Sequence, residues 1–356
     1  MRVVLYGEAH FIGSGAYCYA ETLKELGHEV IPVRDDFGLE FYSTLPGRVA
    51  KKALGHISEP HRRRHVAELV RVVRERRPEL VLVLKGLFIG PEDVRAMRAA
   101  GAFVAIINHD DFFSLNRNNW SAVQRAALPH YSYVLVTREV NVAEVGRLNP
   151  NVEFFPFAYY PGIHRKLEIP EQERAQFEKD VVFVGTWELE RCRLLEHLVQ
   201  TVPARYAIWG SHWSHAGKRS PLAPFIVGKN AMMDDQCKAL GGAKIALAFL
   251  RRLNRDDYTQ RTFEIPACGG LLLGERTARH LSFYREGVEA EFFDPQQPDE
   301  LVAKVRMLLA DDAKREALRE AGRRALERQH HTYRDRLLRV FELYRQTERM
   351  PMPAQP

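Results

Sequence analysis

Short apolar runs alternate with amphipathic stretches along this chain, and they do so twice, on either side of a segment rich in proline and aromatics. Continuous apolar runs separated by helix-length segments argue for parallel sheets with helical crossovers. The first half reads as strand RVVLYG (2–7), helix AYCYAETLKELG (16–27) and strand HEVIPV (28–33), then strands ELVLVLKG (79–86), AFVAIINH (102–109) and YVLVT (133–137). The second half starts again with strand DVVFVGT (180–186), helix ELERCRLLEHLVQ (188–200) and strands RYAIWG (205–210), KIALAFL (244–250) and GGLLLG (269–274). Between the halves the pattern loses its period, which marks a linker over 158–179. The reading is an α/β protein of two Rossmann-like domains, 1–157 and 180–330, facing each other across a cleft at the carboxyl ends of both sheets, where such folds bind ligands. A further helical segment covers 331–346, and the proline-containing tail 347–356 reads as disordered.

Composition narrows the function classes. With 356 residues, 46% hydrophobic and 28% charged, the chain can bury a large core. Four cysteines (Cys18, Cys192, Cys237, Cys268) lie far apart with no C-x-x-C pair, which suggests neither a zinc knuckle nor a disulfide framework and fits a reducing, cytoplasmic setting. No run approaches the roughly 18 apolar residues that span a bilayer. The net charge of +6 concentrates on a predicted helix over 61–77, where Val66, Leu69, Val70 and Val73 form one face and arginines the other. That face reads as solvated, or as a weak peripheral contact with anionic lipid at the inner membrane face. No aromatic platform or zinc finger supports nucleic-acid binding.

The stretch YTQRTFEIPACGGLLLG (258–274) carries the most chemistry. Pro266 lacks an N–H and is expected in the first turn of a helix starting near Arg261 or Thr262, with Gly269 as its C-terminal stop. Glu264 then lies where unpaired backbone N–H groups and the positive end of the dipole favour a carboxylate or a phosphate. Compensation of the dipole and ligand binding remain equal readings on this local chemistry.

Three segments carry a resemblance: DVVFVGTWELERCRLLEHL (180–198), RTFEIPACGGLLLGE (261–275) and LVAKVRMLLADDAKREALREAGRRAL (301–326). In order and spacing they resemble the nucleotide-sugar half of GT-B glycosyltransferases of the group 1 superfamily, closest to the spore maturation protein CgeB-like branch; FFPFAYYPGIHRK (154–166) resembles the segment that precedes that half. The resemblance implies transfer of a sugar from a nucleotide-diphosphate donor to a glycan, lipid or protein acceptor, with retention and without a metal or other cofactor. It implies that Glu264 accepts the ribose hydroxyls and that Asp256, eight positions earlier, lies near the transferred sugar, although aspartate replaces the usual glutamate. It also implies that the last helix packs back on the first domain. Arg261 and Arg255 are the candidate cations for the diphosphate, and Gly185, Thr186 and Thr262 the candidate hydrogen-bond donors; no D-x-D pair occurs.

In the first half, His109 follows an apolar strand at the edge of the expected cleft and is a candidate catalytic residue; Asp110 or Asp111 capping the next helix, with His109 filling a polar corner, is the competing reading. His10, Gly13 and Gly15 form a candidate acceptor-side loop. Asp35 lies about twenty residues after Gly15, as a ribose-binding acid would in a dinucleotide site, but the glycines do not match G-x-G-x-x-G. A nicotinamide oxidoreductase is thus the weaker alternative, and a non-catalytic nucleotide-sugar or glycan-binding protein the stronger one. His212 and His215 lack an adjacent acidic or cysteine partner for zinc.

Overall fold

The computed structural model describes residues 1–35, 59–116 and 119–349. Residues 36–58, 117–118 and the tail after 349 lie outside them. The chain divides into two compact units: unit 1 holds Met1–Pro156, Leu253–Arg255 and the chain from Tyr333 on, and unit 2 holds Phe157–Arg252 and Asp256–Thr332.

Unit 1 is built on six parallel strands, β1 (Arg2–Tyr6), β2 (Glu29–Val33), β3 (Leu80–Leu84), β4 (Phe103–Asn108), β5 (Tyr133–Val136) and β6 (Val152–Phe154), in the order β2-β1-β3-β4-β5-β6. Every residue of LVLVL in β3 and FVAIIN in β4 is buried, as expected of parallel strands covered on both faces. The described helices of this half are α1 (Gly15–Glu25), α2 (Glu59–Arg76), α3 (Pro91–Ala99), α4 (Ala122–Ala127) and α5 (Glu139–Gly146). The chain steps from β1 outward to β2 and then back past β1 to β3, so the strand order reverses between β1 and β3. That reversal opens a crevice beyond the carboxyl ends of the two strands.

Unit 2 repeats the device with β7 (Val181–Val184), β8 (Tyr206–Trp209), β9 (Ile245–Ala248), β10 (Leu272–Glu275) and β11 (Glu291–Phe293), all parallel, in the order β11-β10-β9-β7-β8. Its helices are α6 (Glu171–Phe177), α7 (Leu189–Thr201), α8 (Asp234–Gly242), α9 (Arg261–Ala267), α10 (Ala278–Phe283), α11 (Pro298–Ala310) and α12 (Asp312–Arg328). Here the order reverses between β7 and β9. The final helix, α13 (Tyr333–Arg349), returns to unit 1 and packs on α1, with Tyr333 edge-on to Tyr19 at 4.7 Å. Both sheets are Rossmann-like, so the fold class is α/β.

Helix α9 corrects one step of the sequence argument. Pro266 is the sixth of seven residues, not a first-turn residue, and its missing N–H would have reached the Thr262 carbonyl. That carbonyl accepts the Tyr284 hydroxyl instead, at 3.0 Å, which removes the usual hydrogen-bond cost of an interior proline. The end of α9 is a Schellman motif: Gly269 at φ +79° donates to the Pro266 carbonyl and Gly270 to that of Ile265.

Candidate functional site

In unit 2 the polar groups converge where β7 ends and α9 begins. Glu264 is 2% exposed, and its carboxylate is held by three donors. His164 Nε2 lies 3.1 Å from Oε1, Gln236 Nε2 lies 3.1 Å from Oε2, and an Arg261 guanidinium nitrogen also meets Oε2. The Arg261 Nε donates to the Val184 carbonyl at 3.1 Å, which seats the guanidinium at the carboxyl end of β7 beside Gly185. Burial lowers the Arg261 pKa to about 10, still protonated at neutral pH.

Gly185 and Thr186 form the turn after β7. The Gly185 carbonyl accepts from Trp213 Nε1 at 2.9 Å, and a Cβ on Gly210 would stand 2.0 Å from that same oxygen, so the two backbones meet only because residue 210 is glycine. The Thr186 carbonyl accepts from Arg191 at 3.0 Å. Arg191 was not singled out in the sequence. It is 9% exposed, its Nε is shielded from solvent without a hydrogen-bond partner, and it lines a cavity of about 450 Å³ with Leu250, Arg252 and Glu275 at the carboxyl ends of β9 and β10. The signal was present: Arg191 interrupts the apolar stripe Leu194, Leu195 and Leu198 at helical spacing, and a cation on a buried stripe needs a reason.

Two candidates leave this group. Thr262 is fully buried; its hydroxyl accepts from the Thr259 N–H at 3.2 Å and pairs with His280 Nε2 at 2.9 Å, while His280 Nδ1 contacts the Glu275 carbonyl at 2.6 Å. That relay uses the Thr262 hydroxyl inside the core. Arg255 belongs to unit 1, where it grips the fully buried Asp111 at 2.7 Å and Glu144 at 2.8 Å. Asp256 stays in unit 2; its N–H bonds the Arg251 carbonyl at 3.2 Å.

In unit 1 a cavity of about 190 Å³ opens at the β1/β3 reversal, lined by Gly7, Gly15, Asp35, Lys85, His109 and Asp110 among others. Lys85 holds a left-handed backbone at φ +65° and pairs with Asp110 at 2.8 Å. A left-handed backbone costs energy for a non-glycine residue, and the apolar pattern of β3 concealed it. Burial pushes the His109 pKa down to about 4, so the ring is neutral at physiological pH. Gly13 takes φ +89° and Gly15 opens α1 behind the Ser14 cap, whereas His10 is exposed and outside the cavity lining. Asp111 accepts the Phe113 N–H at 2.8 Å and serves structure. Asp35 is buried and accepts the Tyr6 hydroxyl at 3.1 Å. His212 and His215 stack on each other at 5.8 Å, and no cluster of three metal-ligating side chains occurs among the described residues.

Residues 191–342 match a family model described as glycosyl transferase-like. No curated protein sequence matches the chain significantly. Among solved structures, Anabaena HepE in complex with UDP and glucose superposes with a TM-score of 0.64 at 12% identity, covering 97% of this chain and 100% of HepE. Sucrose-phosphate synthase from Thermosynechococcus elongatus gives 0.67 at 13% identity over 97% and 98%. A glycosyltransferase from Rickettsia africae gives 0.65 at 10% identity over 98% and 99%. At these identities the likeness is one of fold.

Proposed function

We propose, from the GT-B glycosyltransferase fold and the glycosyl transferase-like match over its C-terminal half, that this chain transfers a sugar from a nucleoside-diphosphate donor to an acceptor hydroxyl. The observation that carries the reading is the gathering of Arg261, Glu264 and the Gly185 turn at the end of β7. In this reading unit 2 takes the donor. Glu264, whose two oxygens meet His164, Gln236 and Arg261, receives a ribose hydroxyl; a carboxylate offers about four lone-pair positions, and three are already used by the protein. One hydroxyl therefore binds directly, where the sequence resemblance suggested more than one. As the anomeric C–O bond breaks, negative charge grows on the diphosphate and positive character on the sugar ring. In this reading Arg261, tied to the Val184 carbonyl, and Arg191, tied to the Thr186 carbonyl, stabilise the leaving diphosphate, and no metal is required. The acceptor goes to the cavity of unit 1, where neutral His109 can accept a hydrogen bond from a hydroxyl. Retention and the CgeB-like branch belong to the same proposal. So does a cytoplasmic setting, which four free, buried cysteines support. No helix among the described residues is long and apolar enough to cross a membrane. Arg71 of α2 is committed to Glu68 and Glu75, so the basic face is partly neutralised and lipid contact through it is weak.

Asp256, standing where the resemblance expects a glutamate, favours a second reading, a binding protein without turnover. Calorimetric titration with UDP, GDP and ADP, followed by measurement of nucleoside diphosphate release from the matching sugar nucleotides, separates the two. UDP comes first because HepE is seen with it. Arg261→Ala is expected to weaken nucleoside diphosphate binding at least about tenfold and the free nucleoside less, since it removes a charge-assisted bond to phosphate as well as one of the three donors that hold Glu264. Equal losses for both ligands would remove Arg261 from the diphosphate.

A further inference from the structure

His164 lies in the segment that leads into unit 2, inside PGIHRK, and nothing in its sequence neighbourhood marks it. The fold brings it to Glu264. Its ring is 5% exposed, and both nitrogens are engaged: the Tyr160 N–H points at Nδ1 at 3.1 Å, and Nε2 lies 3.1 Å from Glu264 Oε1. A backbone N–H can only donate, so Nδ1 must be the bare acceptor nitrogen. The proton then resides on Nε2 and is donated to the carboxylate. Tyr160 to His164 is itself a closed turn, with the His164 N–H donating to the Tyr160 carbonyl at 2.7 Å, so the ring is held from two sides by its own loop. Gln236 from α8 and Arg261 from α9 hold the other carboxylate oxygen.

We infer that His164 is a positioning residue: by donating from Nε2 it orients the Glu264 carboxylate and leaves one lone pair of Oε1 as the acceptor for a single ribose hydroxyl, so that the site selects ribonucleotides over their deoxy counterparts. The inference rests on the donor-site reading above and adds the residue that aims the carboxylate and the discrimination that follows. A carboxylate pinned by three donors cannot rotate to seek another partner. A ligand without the matching hydroxyl leaves the fourth position unfilled in a buried site, and a single hydrogen bond to a charged group is enough for a preference of about tenfold or more. The same geometry could serve only to tie the Tyr160–His164 turn to α9. Ribose discrimination separates the two roles, because a tie has no knowledge of the ligand.

The experiment titrates the full-length protein calorimetrically with whichever of UDP, GDP and ADP binds most tightly, and with its 2′-deoxy and 3′-deoxy forms. Wild type is expected to prefer the ribonucleotide by about tenfold or more over one of the deoxy forms. His164→Ala is expected to reduce that preference to under about threefold. His164→Gln, whose amide can donate from near the Nε2 position, is expected to restore it, which also controls for a simple loss of folding. If wild type binds no nucleoside diphosphate, the donor-site reading falls and this inference with it. If wild type binds but treats ribose and both deoxyriboses alike, or if the preference survives in His164→Ala, the positioning role is overturned while the donor site stands.

Discussion

At the scale of single residues, the chemistry of unit 2 is decided by which polar atoms are already satisfied. Glu264 and Thr262 lie two positions apart in one helix, yet one faces the Arg261 cation and two neutral donors and the other feeds a closed relay to His280. The buried imidazoles give this a measurable consequence. Burial lowers the pKa values of His164 and His280 to about 4 from the usual 6.5. Between those values the unfolded chain binds protons that the native state refuses, so stability is fully present above about pH 6.5 and is lost as pH falls toward 4. At pH 5 the gap from 6.5 is about 1.5 units, which amounts to about 2 kcal/mol for each ring. Urea denaturation at pH 7 and pH 5 should show the loss, and His164→Gln should lose about 2 kcal/mol less between the two pH values than wild type does. An identical drop in the variant would mean that His164 is protonated in the native state.

At the scale of elements, α9 illustrates how a local irregularity is stabilised from outside. Its interior proline leaves the Thr262 carbonyl without an intrahelical donor, and the Tyr284 hydroxyl supplies one from the residue that follows α10. Both partners are buried, Tyr284 at 1% exposure. Tyr284→Phe keeps the ring and removes the donor, and a buried carbonyl left unsatisfied costs about 1–3 kcal/mol. Chemical denaturation should register a loss of that size, and Tyr284→Phe combined with Pro266→Ala should recover part of it, because the alanine N–H can reach the carbonyl. Strict additivity of the two substitutions would show that the hydroxyl and the missing amide are not linked. The same scale explains which strands the sequence revealed. Runs such as LVLVL in β3 are legible because both faces are buried, whereas β6 and β11, three residues each at sheet edges, are too short to show a period.

For the whole molecule, the chain does not parcel its units into contiguous pieces. Helix α13 completes unit 1 from the far end of the sequence: Tyr333, Leu337, Val340 and Leu343 are buried, and Arg339 pairs with Glu153 of β6 at 2.6 Å. Leu337→Ala is expected to cost about 2–5 kcal/mol through the cavity it leaves. Hydrogen exchange should locate that loss in the amides of β1–β6, with β7–β11 keeping their protection; uniform loss across both sheets would mean that the two units open together. What the sequence determined alone was the architecture, because hydrophobic period and length reach the backbone directly: two parallel sheets, the glycine stop of α9, and Glu264 and Arg261 as neighbours at i and i+3. What only the tertiary structure decided was the company each polar group keeps. Arg255 sits six residues before Arg261, yet its guanidinium is bound to Asp111 and Glu144. His164 is a hundred residues from Glu264 and donates to it. Hydrogen bonds and ion pairs act over about 3 Å in space and carry no imprint on sequence periodicity, so the partners of a buried charge are set by where the sheets and loops bring the backbone, and only the folded chain says which they are.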